Sequence, residues 1–220
     1  MFKKILLSSW LLIFALALSA QPFADEIKAF KKQDSIQFPP RQAILFVGSS
    51  SFRIWKDVGN YFPGYTIINR GVGGSSLPDI IRYENDIIFP YQPRQVLIYC
   101  GDNDLVASDT VTAQIVFERF KRLFRDIRTR FRKIPVAFVS IKPSPSRQLL
   151  MPKMEEANLL IESFLKHERK TVYIDVYHKM LKADGTPMDD IFLADKLHMN
   201  AKGYAIWQKA IAPWLLKEKN

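Results

Sequence analysis

Five short apolar runs, separated by longer amphipathic or polar stretches, dominate the pattern of this sequence. They cover residues 43–47, 65–69, 95–100, 135–141 and 171–177 and are rich in strand-forming side chains. Runs of this length that are almost continuously apolar are typical of strands buried on both faces of a parallel sheet. We therefore predict a five-stranded parallel sheet.

Helical periodicity occupies much of the sequence between and after these runs. Apolar residues recur at spacings of three and four from Thr112 to Arg132 and again from Met154 to Leu165, and Asn200 can cap a closing helix. Strands that alternate with helices indicate an α/β protein whose parallel sheet is covered on both faces, with right-handed crossovers.

Residues 1–24 have a different pattern. Two lysines precede an apolar run over residues 5–18, and small residues follow it. This order predicts a secretory signal peptide cleaved near residues 20–24, and hence a periplasmic or secreted protein. A membrane anchor is the alternative, but the run is short for a membrane span and polar residues with Pro22 follow it.

The rest of the chain fits one domain. The sequence has 220 residues, of which 48% are hydrophobic, and it contains no internal repeat. Residues 25–41 are charged and include a Pro-Pro pair, so we predict an N-terminal arm that leads into a domain over residues 42–220. Cys100 is the only cysteine, which excludes an intrachain disulfide and lipid attachment near the cleavage point.

The formal net charge is +10, and +8 remains when the two lysines of the leader are left out. This charge favours anionic surroundings, such as phospholipid headgroups or acidic envelope polymers, and we expect no nucleic-acid partner. Basic residues concentrate between Lys121 and Lys133, a run that we interpret as the solvated face of a helix.

Three of the predicted strands end in a glycine-containing polar block. The blocks are Gly48-Ser49-Ser50, residues 71–76 and Gly101-Asp102-Asn103-Asp104. The carboxyl ends of parallel strands share one rim, which is where ligands of open α/β sheets bind. A serine turn, a helix cap or a flexible glycine loop would explain each block by itself, but their common position predicts a site that includes Ser50, Gly74 and Asn103.

A serine nucleophile needs a base, and the base needs an orienting acceptor. His167 lies among charged residues and is interpreted as a surface residue. The other two histidines both belong to Asp-x-x-His sequences, Asp175 with His178 and Asp195 with His198. Spacing does not separate these pairs. Context favours the second pair, which lies in a loop before a helix, whereas Asp175 falls within an apolar strand run.

Taken together, the blocks resemble the SGNH hydrolases, the superfamily of GDSL-type lipases and esterases. The resemblance rests on Gly48-Ser49-Ser50, on residues 69–74, on residues 101–104 and on residues 195–198, and it covers nearly the whole mature domain. It implies a three-layer α/β/α, flavodoxin-like fold. No metal or organic cofactor is implied.

The resemblance also implies a role for each site residue. Ser50 would be the nucleophile, His198 the general base and then acid, and Asp195 the residue that orients the imidazole. The oxyanion hole would consist of the N–H groups of Ser50 and Gly74 and the side-chain amide of Asn103. Such preorganised donors are what a tetrahedral acyl intermediate requires.

One departure from the family pattern is visible, because Ser49 stands where an aspartate usually precedes the nucleophile. It leaves Ser49 and Ser51 as rival nucleophiles, with Ser50 favoured.

We predict an exported serine esterase that acts on short acyl groups of a small molecule, carbohydrate or envelope component, since no apolar lid segment lies between the blocks. The alternatives are a lysophospholipase or thioesterase acting on lipid esters, an acyltransferase with the same triad, and a non-catalytic envelope-binding module. The intact Ser50, Asn103, Asp195 and His198 argue against the last of these.

Overall fold

The computed structural model describes residues 22–217, so nearly all of the predicted leader lies outside the described residues. At its centre is a sheet of five parallel strands: β1 (Ile44–Gly48), β2 (Ile67–Gly71), β3 (Gln95–Tyr99), β4 (Val136–Val139) and β5 (Thr171–Ile174). The spatial order is β2-β1-β3-β4-β5. This order is the flavodoxin-like one, and it confirms the predicted sheet.

The helices precede, connect and follow the strands. They are α1 (Ala24–Ile36), α2 (Ser50–Ile54), α3 (Val58–Tyr61), α4 (Leu77–Arg82), α5 (Glu84–Ile87), α6 (Asp102–Val106), α7 (Ala113–Arg130), α8 (Met151–His167) and α9 (Ala201–Ile211). Thr112 caps α7 and Asn200 caps α9 through their side-chain oxygens. Along residues 22–217, no helix is both long and apolar enough to cross a bilayer.

Alternate residues of each central strand enter opposite layers of the core, because successive side chains of a strand point to opposite faces. Leu45 and Val47 of β1 belong to the cluster that contains Phe120 of α7. Ile44 and Phe46 belong to the other cluster, which contains Trp207 of α9. All four β1 side chains are fully buried, and this confirms the three-layer α/β/α architecture.

The fifth strand is shorter than its apolar run indicated. It ends at Ile174, because the Ser140 hydroxyl oxygen accepts hydrogen bonds from the N–H groups of Val176 and Tyr177, both at 2.9 Å, and draws the chain out of the sheet. Asp175 therefore lies in the loop after β5. The expectation that it falls within a strand was wrong.

The segment predicted as an arm contains a helix, α1, which the sequence pattern did not reveal. Ile27 is its one buried residue, so its apolar periodicity is weak. Polar contacts hold it instead. Asp34 pairs with Arg70 of β2 at 2.5 Å and accepts a hydrogen bond from the Tyr91 hydroxyl at 2.5 Å.

The basic run between Lys121 and Lys133 is more than a solvated face. Arg128 donates to the backbone carbonyls of Ile134 and Arg169, which lie just before β4 and β5. Burial lowers the pKa of the Arg128 guanidinium from its ordinary value. Part of the run therefore fastens α7 to the amino-terminal edge of the sheet.

A cluster of aromatic rings seats α2 between β3 and α9. The Trp207 ring lies 4.8 Å from Tyr99 of β3 and 5.9 Å from Phe52 of α2, measured between ring centroids. The Tyr204 hydroxyl donates to the Ser51 carbonyl at 2.8 Å. The closing helix thus supports the segment that carries Ser50.

Substitution Trp207→Ala is expected to lower the free energy of unfolding by about 3–5 kcal/mol, because it leaves a cavity among buried rings. Equilibrium urea unfolding measures this change. Leu149→Ala is the control, because the Leu149 side chain is 96% exposed and its loss should change stability by no more than about 0.5 kcal/mol. Equal effects of the two substitutions would contradict the packing described here.

Candidate active site

The carboxyl end of β1 forces a sharp turn that presents Ser50. Gly48 has φ +148°, and a Cβ atom at this position would lie 1.8 Å from the Tyr99 carbonyl oxygen. Only glycine fits where two strands approach this closely. The Ser49 N–H then donates to the same carbonyl at 2.9 Å, and α2 begins at the next residue. Ser50 is therefore held at the start of a helix on the carboxyl rim.

The neighbouring serines are buried. Ser49 and Ser51 are buried, at 0% and 2% exposure, whereas Ser50 is only partly buried. A substrate carbonyl could not reach either buried hydroxyl without opening the core. Of the three serines, only Ser50 is placed for a reaction with a bound ester.

His198 connects Ser50 to Asp195. Its Nε2 lies 3.1 Å from the Ser50 Oγ, and its Nδ1 lies 2.6 Å from the Asp195 Oδ2. A carboxylate only accepts hydrogen bonds, so Nδ1 carries the proton and Nε2 is left to accept the serine proton. The arrangement is the one that activates a serine hydroxyl.

A tight turn keeps Asp195 ionised. Its Oδ1 accepts the N–H groups of Leu197 and His198, both at 2.9 Å. The hydrogen bond from the His198 ring and these two backbone bonds lower the pKa of Asp195 from 3.8 to about 2. Its negative charge is therefore present at neutral pH, where it stabilises the imidazolium that forms when His198 takes the serine proton.

The glycine-rich block after β2 lies against the end of β1, where the Val72 N–H donates to the Gly48 carbonyl at 2.7 Å. Gly74 has φ +78°, and no atom lies within 4 Å of where its Cβ would be, so its surroundings are open. Within the described residues, no protein acceptor binds the N–H of Gly74 or of Ser50. Both donors are thus available to a developing oxyanion.

The Asn103 side chain is fixed from both sides. Its Nδ2 donates to the Ser75 carbonyl at 3.0 Å, next to Gly74, and its Oδ1 accepts from the Arg147 guanidinium at 2.9 Å. Arg147 also forms an ion pair with Asp102 at 2.8 Å. Because Arg147 can bind only the amide oxygen, it determines which way the amide points, and one Nδ2 hydrogen remains for a ligand.

Residues 142–147, the segment that includes Arg147, also hold the loop that carries His198. Lys142 is buried, and its Nζ donates to the Leu197 carbonyl at 2.8 Å, while the Ser146 N–H donates to the Lys196 carbonyl at 3.1 Å. Burial lowers the pKa of Lys142 from 10.5 to about 8. Sequence reasoning missed Lys142 and Arg147. For Lys142, the one available signal was its polar side chain just after a strand.

Comparison with known proteins shows which family the chain belongs to. The profile of the GDSL-like Lipase/Acylhydrolase family matches residues 46–206, which is more than half of the chain. The chain belongs to this family. It is thereby an SGNH hydrolase, as the sequence blocks indicated, and ester hydrolysis is the general chemistry of the family. No curated protein matches the chain.

Three solved structures show the shared fold. A GDSL-like lipase from Bacteroides thetaiotaomicron is 22% identical, with TM-score 0.71, over 85% of this chain and 95% of that one. A variant of an acetyl-xylooligosaccharide esterase from Geobacillus is 12% identical, with TM-score 0.63, over 81% and 97%. A carbohydrate esterase family 3 protein from Talaromyces cellulolyticus is 17% identical, with TM-score 0.59, over 78% and 94%. At these identities the likeness establishes the fold.

The other Asp-x-x-His sequence of this GDSL-family chain, Asp175 with His178, forms the same turn without a nucleophile. His178 Nδ1 lies 3.0 Å from the Asp175 Oδ2, but its Nε2 faces the Glu155 carboxylate at 3.8 Å. His167 is an exposed residue at the end of α8. Among residues 22–217, no three His, Cys, Asp or Glu side chains converge as a metal site.

We expect His198→Ala to lower kcat for an activated ester at least about 1,000-fold, because Ser50 loses its base. His178→Ala should keep kcat within about two-fold of the wild type, since that imidazole contacts the Asp175 and Glu155 carboxylates and the Tyr177 ring rather than a serine. Steady-state hydrolysis of a nitrophenyl ester measures both variants. The opposite ranking would assign the base to His178 and refute the site described here.

Proposed function

We propose that this protein is a serine esterase that cleaves carboxylic esters through an acyl-serine intermediate. The observation that carries the proposal is the continuous chain from the Ser50 Oγ to the His198 Nε2 at 3.1 Å and from the His198 Nδ1 to Asp195 at 2.6 Å. The Val72 N–H donates to the Gly48 carbonyl, so the loop that carries Gly74 lies against the end of β1, and the Asn103 amide donates to Ser75 of the same loop. On this proposal Ser50 is the nucleophile, His198 the base and Asp195 the orienting acid, and Gly74 and Asn103 supply oxyanion donors.

In the proposed reaction, His198 removes the Ser50 proton as Oγ bonds to the ester carbonyl carbon. The negative charge that develops on the carbonyl oxygen is stabilised by the N–H groups of Ser50 and Gly74 and by the Asn103 amide. Collapse of the intermediate breaks the bond to the alcohol oxygen, which takes the proton from His198.

Water then enters the emptied alcohol site. His198 removes a proton from this water as its oxygen attacks the acyl carbon, and a second tetrahedral intermediate forms. Its collapse breaks the bond to the Ser50 Oγ, which takes the proton back, and the free acid leaves. Proton transfer thus balances over the cycle and the enzyme is regenerated.

Ser49 is compatible with this mechanism although an aspartate usually precedes the nucleophile. The Ser49 Oγ is buried, and it has no hydrogen-bond partner within the described residues. It takes no part in the hydrogen-bonded chain from Ser50 to Asp195. The charge that orients the base comes from Asp195, so the mechanism does not depend on an acid at position 49.

For the substrate, we propose short acyl groups on a small molecule, a carbohydrate or an envelope component. The Asp195 side chain is 48% exposed and that of His198 is 23% exposed, so the rim around them is open to a bulky alcohol moiety. The structural similarity to an acetyl-xylooligosaccharide esterase is in keeping with such a substrate.

A lipid acylhydrolase is the second candidate, and exposed apolar side chains favour it. Val106 follows Asn103 in α6, Leu149 follows Arg147, and Leu193 lies in the loop before His198; their exposures are 51%, 96% and 44%. Apolar side chains on segments that carry site residues could contact a long acyl chain.

An acyltransferase would need to exclude water from the intermediate, and the exposure of Asp195 favours hydrolysis instead.

Labelling with a fluorophosphonate, followed by peptide mapping, tests the mechanism. One adduct is expected on Ser50, absent from Ser50→Ala and retained in Ser49→Ala.

Hydrolysis of acetyl, butyryl and octanoyl nitrophenyl esters tests the acyl group, and kcat/KM should fall as the chain lengthens. A steep rise towards octanoyl would select the lipid candidate, and a folded protein with no adduct and no turnover would exclude an esterase.

We also propose that the protein is exported and that an anionic phospholipid surface of the envelope is its partner. At the amino-terminal ends of the strands, opposite Ser50, lies a groove of about 980 Å³. None of its described lining residues is acidic. Five of them are exposed cations: Arg41, Arg132, Lys133, Lys170 and Lys217. A surface docked here would leave the catalytic rim directed away from the bilayer.

Sedimentation with phosphatidylglycerol vesicles should show binding that weakens as salt increases, with no binding to phosphatidylcholine vesicles. The double substitution Lys133→Glu with Lys170→Glu should abolish binding, whereas Lys202→Glu, at the start of α9, should not. Unchanged binding of the double variant would contradict the assignment of this groove. Binding to an acidic polysaccharide instead of vesicles would assign the groove to a polymer.

A further inference from the structure

Glu26 of α1 contacts two elements that carry site residues. Its Oε2 accepts a hydrogen bond from the Gly73 N–H at 3.1 Å and another from the Arg53 Nε at 3.0 Å. Gly73 directly precedes Gly74, and Arg53 lies one turn after Ser50 in α2. A single carboxylate oxygen therefore joins the loop of an oxyanion donor to the helix of the nucleophile.

The glycine-rich loop needs external support because glycine has more conformational freedom than any other residue. The Val72 N–H donates to the Gly48 carbonyl at 2.7 Å, and the Ser75 hydroxyl donates to the Val72 carbonyl at 3.0 Å, so both ends of the loop are fixed. Between these ends, Glu26 is the acceptor that the structure shows for the Gly73 N–H. The peptide that carries the Gly74 N–H is the next one along the chain from that bond.

The contact is closely packed and charge-assisted. A Cβ atom at Gly73 would lie 2.8 Å from the Arg53 Cδ and 3.1 Å from the Glu26 Oε1, so the loop backbone rests directly on both side chains. Hydrogen bonds from a cationic donor to a carboxylate are shorter and stronger than neutral ones. Arg53 thereby holds the Glu26 carboxylate in place, and that carboxylate in turn holds the Gly73 backbone.

The other end of α1 is fastened to β2, the strand that leads into the loop. Asp34 binds Arg70 of β2, which precedes Gly71 and the loop. The helix is thus fastened at Arg70 and at Gly73, on either side of Gly71. Helix α1 as a whole precedes residue 46, where the match to the family profile begins.

We propose that Glu26 is a positioning residue, through which α1 holds the Gly74 donor in the direction that the oxyanion needs. The proposal rests on the ester hydrolysis proposed above and extends the catalytic structure to the segment that the sequence predicted to be an arm. Since a preorganised oxyanion donor acts on the transition state more than on the bound ester, Glu26 should affect kcat more than KM.

Glu26→Ala, Glu26→Gln and the control Asp25→Ala test the proposal. Removing an oxyanion donor costs about 100- to 1,000-fold in kcat, and a displaced donor loses part of that, so Glu26→Ala should lower kcat about 10- to 100-fold. KM should stay within about two-fold. The rate of fluorophosphonate labelling at Ser50 should fall together with kcat, because the phosphoryl oxygen uses the same donors.

The conservative variant and the control isolate the contact. Glu26→Gln keeps an oxygen acceptor for Gly73 and loses the charge beside Arg53, so its kcat should lie between the wild type and Glu26→Ala. Asp25 has an exposed side chain in the same first helical turn, and it contacts Lys28 rather than the loop. Asp25→Ala therefore controls for the charge at the helix start and should keep the wild-type kcat and labelling rate.

A folded Glu26→Ala variant with the kcat and labelling rate of the wild type would overturn the proposal, as would a change in KM alone. If Glu26→Ala does not fold, Glu26→Gln decides: a lowered kcat at unchanged KM supports positioning, and an unchanged kcat refutes it. Absence of turnover and labelling in the wild type would instead refute the esterase, and this proposal with it. The two failures are therefore distinguishable.

Discussion

The close approach of β1 to β3 determines where this chain can perform chemistry. At Gly48 the two strands are so near that a Cβ atom would lie 1.8 Å from the Tyr99 carbonyl oxygen, and the next N–H bonds to that same oxygen. The chain can leave the sheet there only through a tight turn into α2. Ser50 takes its position from this turn, and the other site residues are arranged around it.

The site residues lie on loops, and buried or half-buried polar side chains keep those loops in place. Arg147 orients the Asn103 amide, Lys142 holds the carbonyl before His198, and Glu26 holds the N–H before Gly74. Ordering a loop costs conformational entropy, and such bonds offset that cost before substrate binds. The preorganisation of the oxyanion donors therefore depends on residues that do not contact the reacting atoms.

The two Asp-x-x-His turns show what a motif leaves undecided. Both bring the carboxylate within 3.0 Å of the imidazole, because local backbone geometry is sufficient for that contact. Only His198 has a serine on its other side, and that serine is 148 positions away in the sequence. The function that such a turn can serve follows from its neighbours in the fold.

The sequence by itself determined the sheet, its layers and the helices α7, α8 and α9, because burial on both faces requires apolar runs and one buried face requires a helical period. Both constraints show as patterns among residues that are close together in the sequence. Tertiary structure decided the end of β5, the existence of α1 and the roles of Glu26, Lys142 and Arg147. The hydrogen-bond partners of these three side chains lie 47, 55 and 44 positions away, and contacts at that separation leave no periodic trace in the sequence.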